Sequence, residues 1–261
     1  MYISPSFSSQ VINSPSFSLW VGVGLGREHP LSFAARVGVG LVSVAMRRAA
    51  FDARQLSFFK QYCQANQNYI INERLRASPR IASKADEPKR QAAVLIPLCN
   101  RHGKPSVLFT LRTDRVGTHK GQVSFCGGHV DRGETAVEAA VRETFEEIGF
   151  PADKVEILGQ AQTVPAITAT LVTPVLGFLP GDVGDFEHFR VNSSEVDRIF
   201  TRTLEELLDP ARNGFETLSR NGESGSFPVF GMQDKELRIW GLTAMILRAT
   251  LDRVIVPNLI I

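Results

Sequence analysis

The sequence predicts an α/β fold of the α+β type, with a mixed β-sheet sandwiched between helices. Three observations predict it. Short apolar runs of strand length recur between Ala92 and Trp240, helical periodicity is confined to a few separate segments, and the two kinds of segment do not alternate as they would in a regular βαβ array. The chain has 261 residues, 43% of them hydrophobic, enough for a sizeable core. A net charge of +2 argues against nucleic acid or an anionic membrane as a stable partner. The three cysteines, Cys63, Cys99 and Cys126, are too scattered for a disulfide framework or a structural zinc site. No apolar stretch reaches the roughly 20 residues needed to span a bilayer.

Residues 1–50 stand apart as an N-terminal extension. They are rich in Ser and Gly, carry Arg27, Arg36, Arg47 and Arg48, and contain one acid, Glu28. That composition is the one expected of a mitochondrial transit peptide. The late first cation, Arg27, leaves open a plain extension of a cytoplasmic protein, or initiation at Met46. Residues 51–90 form a second segment, an N-terminal helix and linker. Leu56, Phe59, Cys63, Ile70 and Ile71 make an interrupted apolar stripe, and residues 77–90 are polar and Pro-bearing.

The main domain is expected over 91–256. Ala92–Leu98 and Val107–Leu111 read as a strand pair turned at Asn100–Lys104. Further strands are expected at Gln122–Phe125, Val155–Leu158, Leu171–Phe178, Phe227–Phe230 and Leu237–Trp240, and helices at Thr135–Ile148, Thr203–Leu208 and Leu242–Val254.

One helix carries the chemistry. Thr135 with Glu138 is a capping box that starts it, and Gly149 stops it. Val137, Val141, Phe145 and Ile148 share a face, expected to be core. Glu143, Glu146 and Glu147 crowd the other side, where like charges within one turn repel. Such acids are either a solvated cluster paired with Arg142 or the oxygen ligands of a divalent cation such as Mg²⁺ or Mn²⁺. Just before the helix, Gly127 and Gly128 allow a close backbone approach to a ligand.

Residues 127–150 resemble the Nudix box, G-x5-E-x7-R-E-U-x-E-E-x-G-U. Gly128, Glu134, Arg142, Glu143, Glu146, Glu147, Gly149 and Phe150 match it, and Thr144 replaces a larger aliphatic residue. The resemblance implies the Nudix fold and hydrolysis of a diphosphate bond, with Glu143, Glu146 and Glu147 holding the metal. It also implies that Arg142 orients Glu143 and that Glu134 supports the loop or acts as an outer acid. One glutamate would act as general base.

Upstream, residues 108–128 resemble the signature of the coenzyme A diphosphatases through Thr110, Arg112, Gly121, Phe125, Gly127 and Gly128. Thr113, Gly117 and Cys126 depart from it, where Ser or Ala, Arg and Pro are usual. Residues 191–208 and 238–247 also look like later segments of that subfamily, closest to its mitochondrial branch. The implied substrate is the small nucleotide coenzyme A or an acyl-coenzyme A, with Arg112, Arg115 or Lys120 meeting its phosphates. Glu195 or Asp197 is a candidate late carboxylate for the metal site. The alternatives are the same chemistry on ADP-ribose, NADH or capped RNA, or a Nudix binding module without catalysis. Oligomeric state has no signature in the sequence.

Overall fold

Two strands that begin as a hairpin and then part company organise the molecule. In the computed structural model, residues 50–66, 90–114, 121–166, 170–220 and 223–259 are described. The segments expected to be the N-terminal extension and most of the linker, including Ile70 and Ile71, lie outside them. β1 (Gln91–Arg101) and β2 (Lys104–Arg112) are antiparallel. They turn at His102 and Gly103, whose φ values of 49° and 71° are those of a two-residue hairpin turn. The Asp182 carboxylate accepts from both turn amides, at 2.8 and 2.7 Å.

β1 and β2 pair only over Leu98–Arg101 and Lys104–Val107. Beyond that point they splay, and the chain between Val123 and His129 fills the gap. β3 (Val123–Ser124) pairs with Leu111 and Thr110 of β2, and β4 (Gly127–His129) pairs with Ala92–Val94 of β1. Between the two, the Leu95 amide donates to the Cys126 carbonyl at 2.8 Å. The paired glycines are thus wedged into the middle of the sheet.

The sheet is mixed. β7 (Leu171–Asp182) runs parallel to β1, while β5 (Glu156–Gln160) and β6 (Val164–Pro165) run antiparallel to β7, and β8 (Val196–Thr203) antiparallel to β2. β1 reads as a continuous apolar run because both its faces are covered: Ala93, Leu95 and Cys99 enter one cluster, Ile96 and Leu98 the other. β9 (Asn213–Arg220) and β10 (Glu223–Phe230) form a separate hairpin.

On one face lies α1 (Ala53–Ala65), which supplies Leu56, Phe59 and Cys63 to the larger cluster. Its entry is pinned by Asn100, whose side chain accepts from the Phe51 amide at 2.7 Å and donates to the Phe51 carbonyl at 3.0 Å. α4 (Gly241–Thr250) joins α1 there, continuing through a π-turn (Leu251–Ile255) into α5 (Val256–Leu259). α3 (Leu204–Leu208) is a short helix after β8 with its own capping box, Thr203 and Glu206. The other face is covered by α2 (Ala136–Ile148), with Thr135 and Glu138 closing a capping box and Gly149 left-handed at φ 71°. No helix among the described residues is long and apolar enough to cross a membrane.

Two expectations need correction. Leu237–Trp240 is not a strand; it makes a single bridge, Ile239 to Phe230, because the Asp234 carboxylate accepts from the Glu236 and Leu237 amides and bends the chain. The buried face of α2 is also not the Val137–Val141–Phe145 stripe. Ala139, Ala140, Thr144, Glu147 and Ile148 are buried, whereas Phe145 is 54% exposed. Small residues bring α2 close to β1 and β4, which a stripe of bulky side chains would prevent. Strands β4, β6, β8 and β9 were not expected.

The wedge imposes a steric requirement. A Cβ on Gly127 would stand 2.2 Å from the Ala93 carbonyl oxygen and 2.7 Å from the Val94 Cα, atoms that cannot step aside. At Gly103 (φ +71°) a Cβ would meet nothing within 4 Å, so only the backbone conformation resists. Gly127→Ala should therefore cost about 2–4 kcal/mol and Gly103→Ala about 1 kcal/mol in urea unfolding. Equal costs would contradict the wedge.

Candidate active site

The site grows from α2 outward. Its loop enters through Asp131, whose amide donates to Glu134 Oε2 at 3.0 Å. Nearly two turns into the helix, the Arg142 guanidinium gathers the whole surround. Nε and Nη2 donate to the two oxygens of Glu134 at 2.8 and 3.1 Å, a bidentate pair. Nη1 donates to Glu143 Oε1 at 2.9 Å and to Glu146 Oε2 at 3.0 Å, and Nη2 also donates to the His129 carbonyl at 3.0 Å. One side chain thereby ties β4, the loop and the helix together. The Glu134 carboxyl is held below its ordinary range by the Arg142 hydrogen bonds and the Asp131 amide.

Glu143 lies over the second glycine. A Cβ on Gly128 would fall 2.3 Å from Glu143 Oε1 and 2.5 Å from its Cδ, so the carboxylate occupies space that any other residue would fill. Burial raises the proton affinity of Glu143, and Arg142 opposes the rise.

Glu147 forms the floor. Its side chain is 2% exposed, and Oε2 has no hydrogen-bond partner among the described residues. Arg112, from the end of β2, stands with Nη1 3.8 Å from Oε1. Burial pushes the Glu147 carboxyl up to about 8; Arg112 works against that, and the charges of Glu143 and Glu195 add to it.

Glu195 reaches the site by a route the sequence does not display. The carbonyls at the C-terminal end of α2 are satisfied by the chain leading into β8: the Arg190 amide donates to Ile148 at 2.9 Å and the Asn192 amide to Glu147 at 2.8 Å. Asn192 opens a turn by accepting from the Ser194 amide and hydroxyl, and the Glu195 carbonyl then accepts from Thr113 at 3.0 Å. Glu195 is partly buried and acts electrostatically on both Glu143 and Glu147, whereas Asp197 is exposed and acts on Arg198. The alternative between these two acids left open by sequence is narrowed by this placement.

The structure brings together Gly127, Gly128, Glu134, Arg142, Glu143, Glu147 and Arg112. Glu146 is turned outward, its side chain 51% exposed. Among the described residues no group of three or more His, Cys, Asp or Glu side chains stands in a metal-holding arrangement. The reason is visible: Arg142 engages Glu143 and Glu146, and Arg112 faces Glu147. Arg115 and Lys120, with Gly117 and His119, lie outside the described residues.

The glycine turn in the splayed sheet and the capped acidic helix lie within residues 89–220, which match the family model described as NUDIX domain. The chain belongs to the Nudix family. Its relatives include Nudix hydrolase 3 of Caenorhabditis elegans, 36% identical over 187 residues, covering 66% of this chain and 76% of that protein. The mitochondrial coenzyme A diphosphatase NUDT8 of Mus musculus is 40% identical over 165 residues, covering 61% of this chain and 76% of its own. An uncharacterized Nudix hydrolase of Escherichia coli (strain K12 / DH10B), NudL, is 37% identical over 160 residues, covering 61% and 80% respectively.

The Glu147 environment has a measurable thermodynamic consequence. Its folded-state value of about 8 lies above the ordinary 4.5, so the native state binds the extra proton between them. The stability that this protonation contributes is complete below about pH 4.5 and is lost as pH rises towards 8. Glu147→Gln, neutral throughout, should make metal-free protein more stable near pH 8, by on the order of 5 °C in Tm. The gap should close towards pH 5. Melting curves in chelator that run parallel across this range would contradict it.

Proposed function

We propose that this chain hydrolyses the diphosphate bond of coenzyme A or an acyl-coenzyme A in a reaction dependent on a divalent cation, Mg²⁺ or Mn²⁺. The observation that carries the metal dependence is the Glu147 carboxylate, 2% exposed with Oε2 unpartnered and flanked by two further acids. An uncompensated buried carboxylate is costly, and a cation offsets that cost. The donor set, all oxygen and on one helix, suits a hard divalent ion. Glu143, Glu146 and Glu147 would hold it. When bound, the cation supplies charge neutralisation at the phosphoryl oxygens and a more acidic water.

The remaining work falls to the chain. Arg142 orients Glu143 and Glu146, and Glu134 fixes Arg142 and the loop. Gly127 lets the chain pack against β1, and Gly128 lets the Glu143 carboxylate lie against the main chain. Glu195, which carries no ion pair among the described residues and faces Glu143 and Glu147, is the base that accepts the proton of the attacking water. Water adds to one phosphorus, the bond from that phosphorus to the bridging oxygen breaks, and the products are 3′,5′-ADP and (acyl-)4′-phosphopantetheine. Support for coenzyme A comes from Thr110, Arg112, Gly121, Phe125, Gly127 and Gly128 in the upstream signature, and from the relative named a coenzyme A diphosphatase. Arg112 stands beside Glu147, which supports a role for it at the diphosphate, and the 3′-phosphate would fall to Arg115 and Lys120.

Purified protein supplied with Mg²⁺ or Mn²⁺ and offered coenzyme A, acetyl-coenzyme A, ADP-ribose, NADH and capped RNA should release 3′,5′-ADP from the first two, read by mass spectrometry. Cleavage of ADP-ribose, NADH or cap alone would transfer the chemistry to that substrate, and no cleavage at all would favour a binding module. Glu147→Gln and Glu195→Gln should each lower kcat at least about a hundredfold while circular dichroism is unchanged.

For residues 1–50 we propose a mitochondrial targeting role, supported by their arginines and near absence of acids and by the mitochondrial relative. A fluorescent fusion of this segment should colocalise with mitochondria. Diffuse cytosolic signal would reject the assignment.

A further inference from the structure

The two site arginines are held very differently. Arg142 donates five hydrogen bonds to four partners and cannot leave without releasing the loop and β4. Arg112 makes one ion pair among the described residues, and at 3.8 Å it lies beyond hydrogen-bond reach. Its backbone, in contrast, is fixed: its amide donates to the Gln122 carbonyl at 3.0 Å and its carbonyl accepts from the Gly121 amide at 3.1 Å. A register shift in the β2–β8 ladder falls between Leu111 and Arg112, the kind of irregularity that re-aims a strand side chain. A pinned backbone with a loosely engaged guanidinium lets the charge change partners while the sheet stays still.

Glu147 presents the complementary problem. Its carboxylate is enclosed, Glu143 and Glu195 stand near it, and Arg112 is the cation that faces it among the described residues. A divalent ion on the same carboxylate would sit a few ångströms from the guanidinium, where like charges in a poorly solvated site repel strongly. The two cations therefore compete for the carboxylate, and Arg112, unlike Arg142, has no hydrogen bonds of its guanidinium among the described residues to hold it there.

We propose that Arg112 is a stand-in cation: it occupies the place beside the Glu147 carboxyl until a divalent ion takes that carboxylate, and is then displaced toward the anionic substrate. Metal occupancy thus sets when the arginine becomes available to phosphate, and metal binds before substrate. This rests on the reading of Glu147 as a metal ligand. Arg112 is a positioning residue in the metal-free enzyme and a phosphate contact only after exchange.

The test needs no turnover. Mg²⁺ binding to the full chain is measured by isothermal titration calorimetry at about pH 9, without substrate, in the wild type, Arg112→Met and Arg112→Lys. Arg112→Met, which removes the competing charge but keeps the bulk, should bind Mg²⁺ about three- to tenfold more tightly, and Arg112→Lys should stay near the wild type. Unchanged or weaker binding by Arg112→Met overturns the exchange, while absence of binding by the wild type overturns the metal-ligand reading and the exchange with it. A thermal-melt cycle in chelator, with Arg112→Met made in the wild type and in Glu147→Gln, checks the pair itself. Arg112→Met should lower Tm only where Glu147 is intact, and equal losses in both backgrounds would overturn the proposal even where calorimetry is compromised by poor folding.

Discussion

The close approach of α2 to the glycine turn is the constraint on which the site depends. β1 and β2 separate after four residue pairs, and the chain wedged between them at Cys126–His129 has no side-chain bulk at Gly127 or Gly128. Ala139 and Ala140 let the helix settle onto that surface, and the Glu143 carboxylate lies in the space a Cβ at Gly128 would take. A side chain at Gly127 would strike the main chain of β1, and one at Gly128 would displace the Glu143 carboxylate.

That approach creates the electrostatic problem that defines the site. Enclosing Glu147 strips it of water, and its neighbours Glu143 and Glu195 are of the same sign. Two arginines answer, by different means. Arg142 forms a network rigid enough to count as part of the fold, while Arg112 is an arm's-length counter-charge. A site built this way is less stable empty than a neutral equivalent would be, the usual stability cost of a functional centre. The network is also why the three box glutamates do not converge among the described residues: two of them are engaged by Arg142.

What the sequence displayed was whatever is decided locally. The α2 boundaries follow from Thr135, Glu138 and Gly149, each acting within one turn, and the structure has all three in those roles. The β1–β2 hairpin follows from two apolar runs around a turn-forming pair. The spacing of the acids was legible for the same reason. The buried side of α2 was not, because Val137, Val141 and Phe145 outweigh Ala139, Ala140 and Thr144 in hydrophobicity, while closeness to β4 rewards smallness. The nearness of Glu195 to the acids of α2 was not legible, since it depends on the capping of α2 carbonyls by a segment more than 40 residues away. β8 was missed because Asp197, Arg198 and Arg202 break its apolar pattern, and the strand is held by pairing with β2 instead.

Two departures from the family pattern, far apart in sequence, meet at one place. Thr144 stands where an aliphatic residue is usual and Cys126 where Pro is usual, and both are fully buried. The Cys126 thiol interacts with both the Glu147 carboxyl and the Thr144 hydroxyl, and burial together with the Glu147 charge pushes the thiol well above its ordinary range. It therefore remains protonated and can donate, which proline and an aliphatic side chain cannot do. Thr144 is itself satisfied, donating to the Ala140 carbonyl at 2.7 Å, so its hydroxyl adds polarity without adding an orphaned donor. The pair softens the surroundings of the most enclosed acid in the site. Losing the proline costs some rigidity ahead of Gly127, but the Leu95 amide holds the Cys126 carbonyl at 2.8 Å and supplies the constraint from the neighbouring strand. Two of the substitutions that weaken the sequence match thus put a thiol and a hydroxyl beside the buried Glu147.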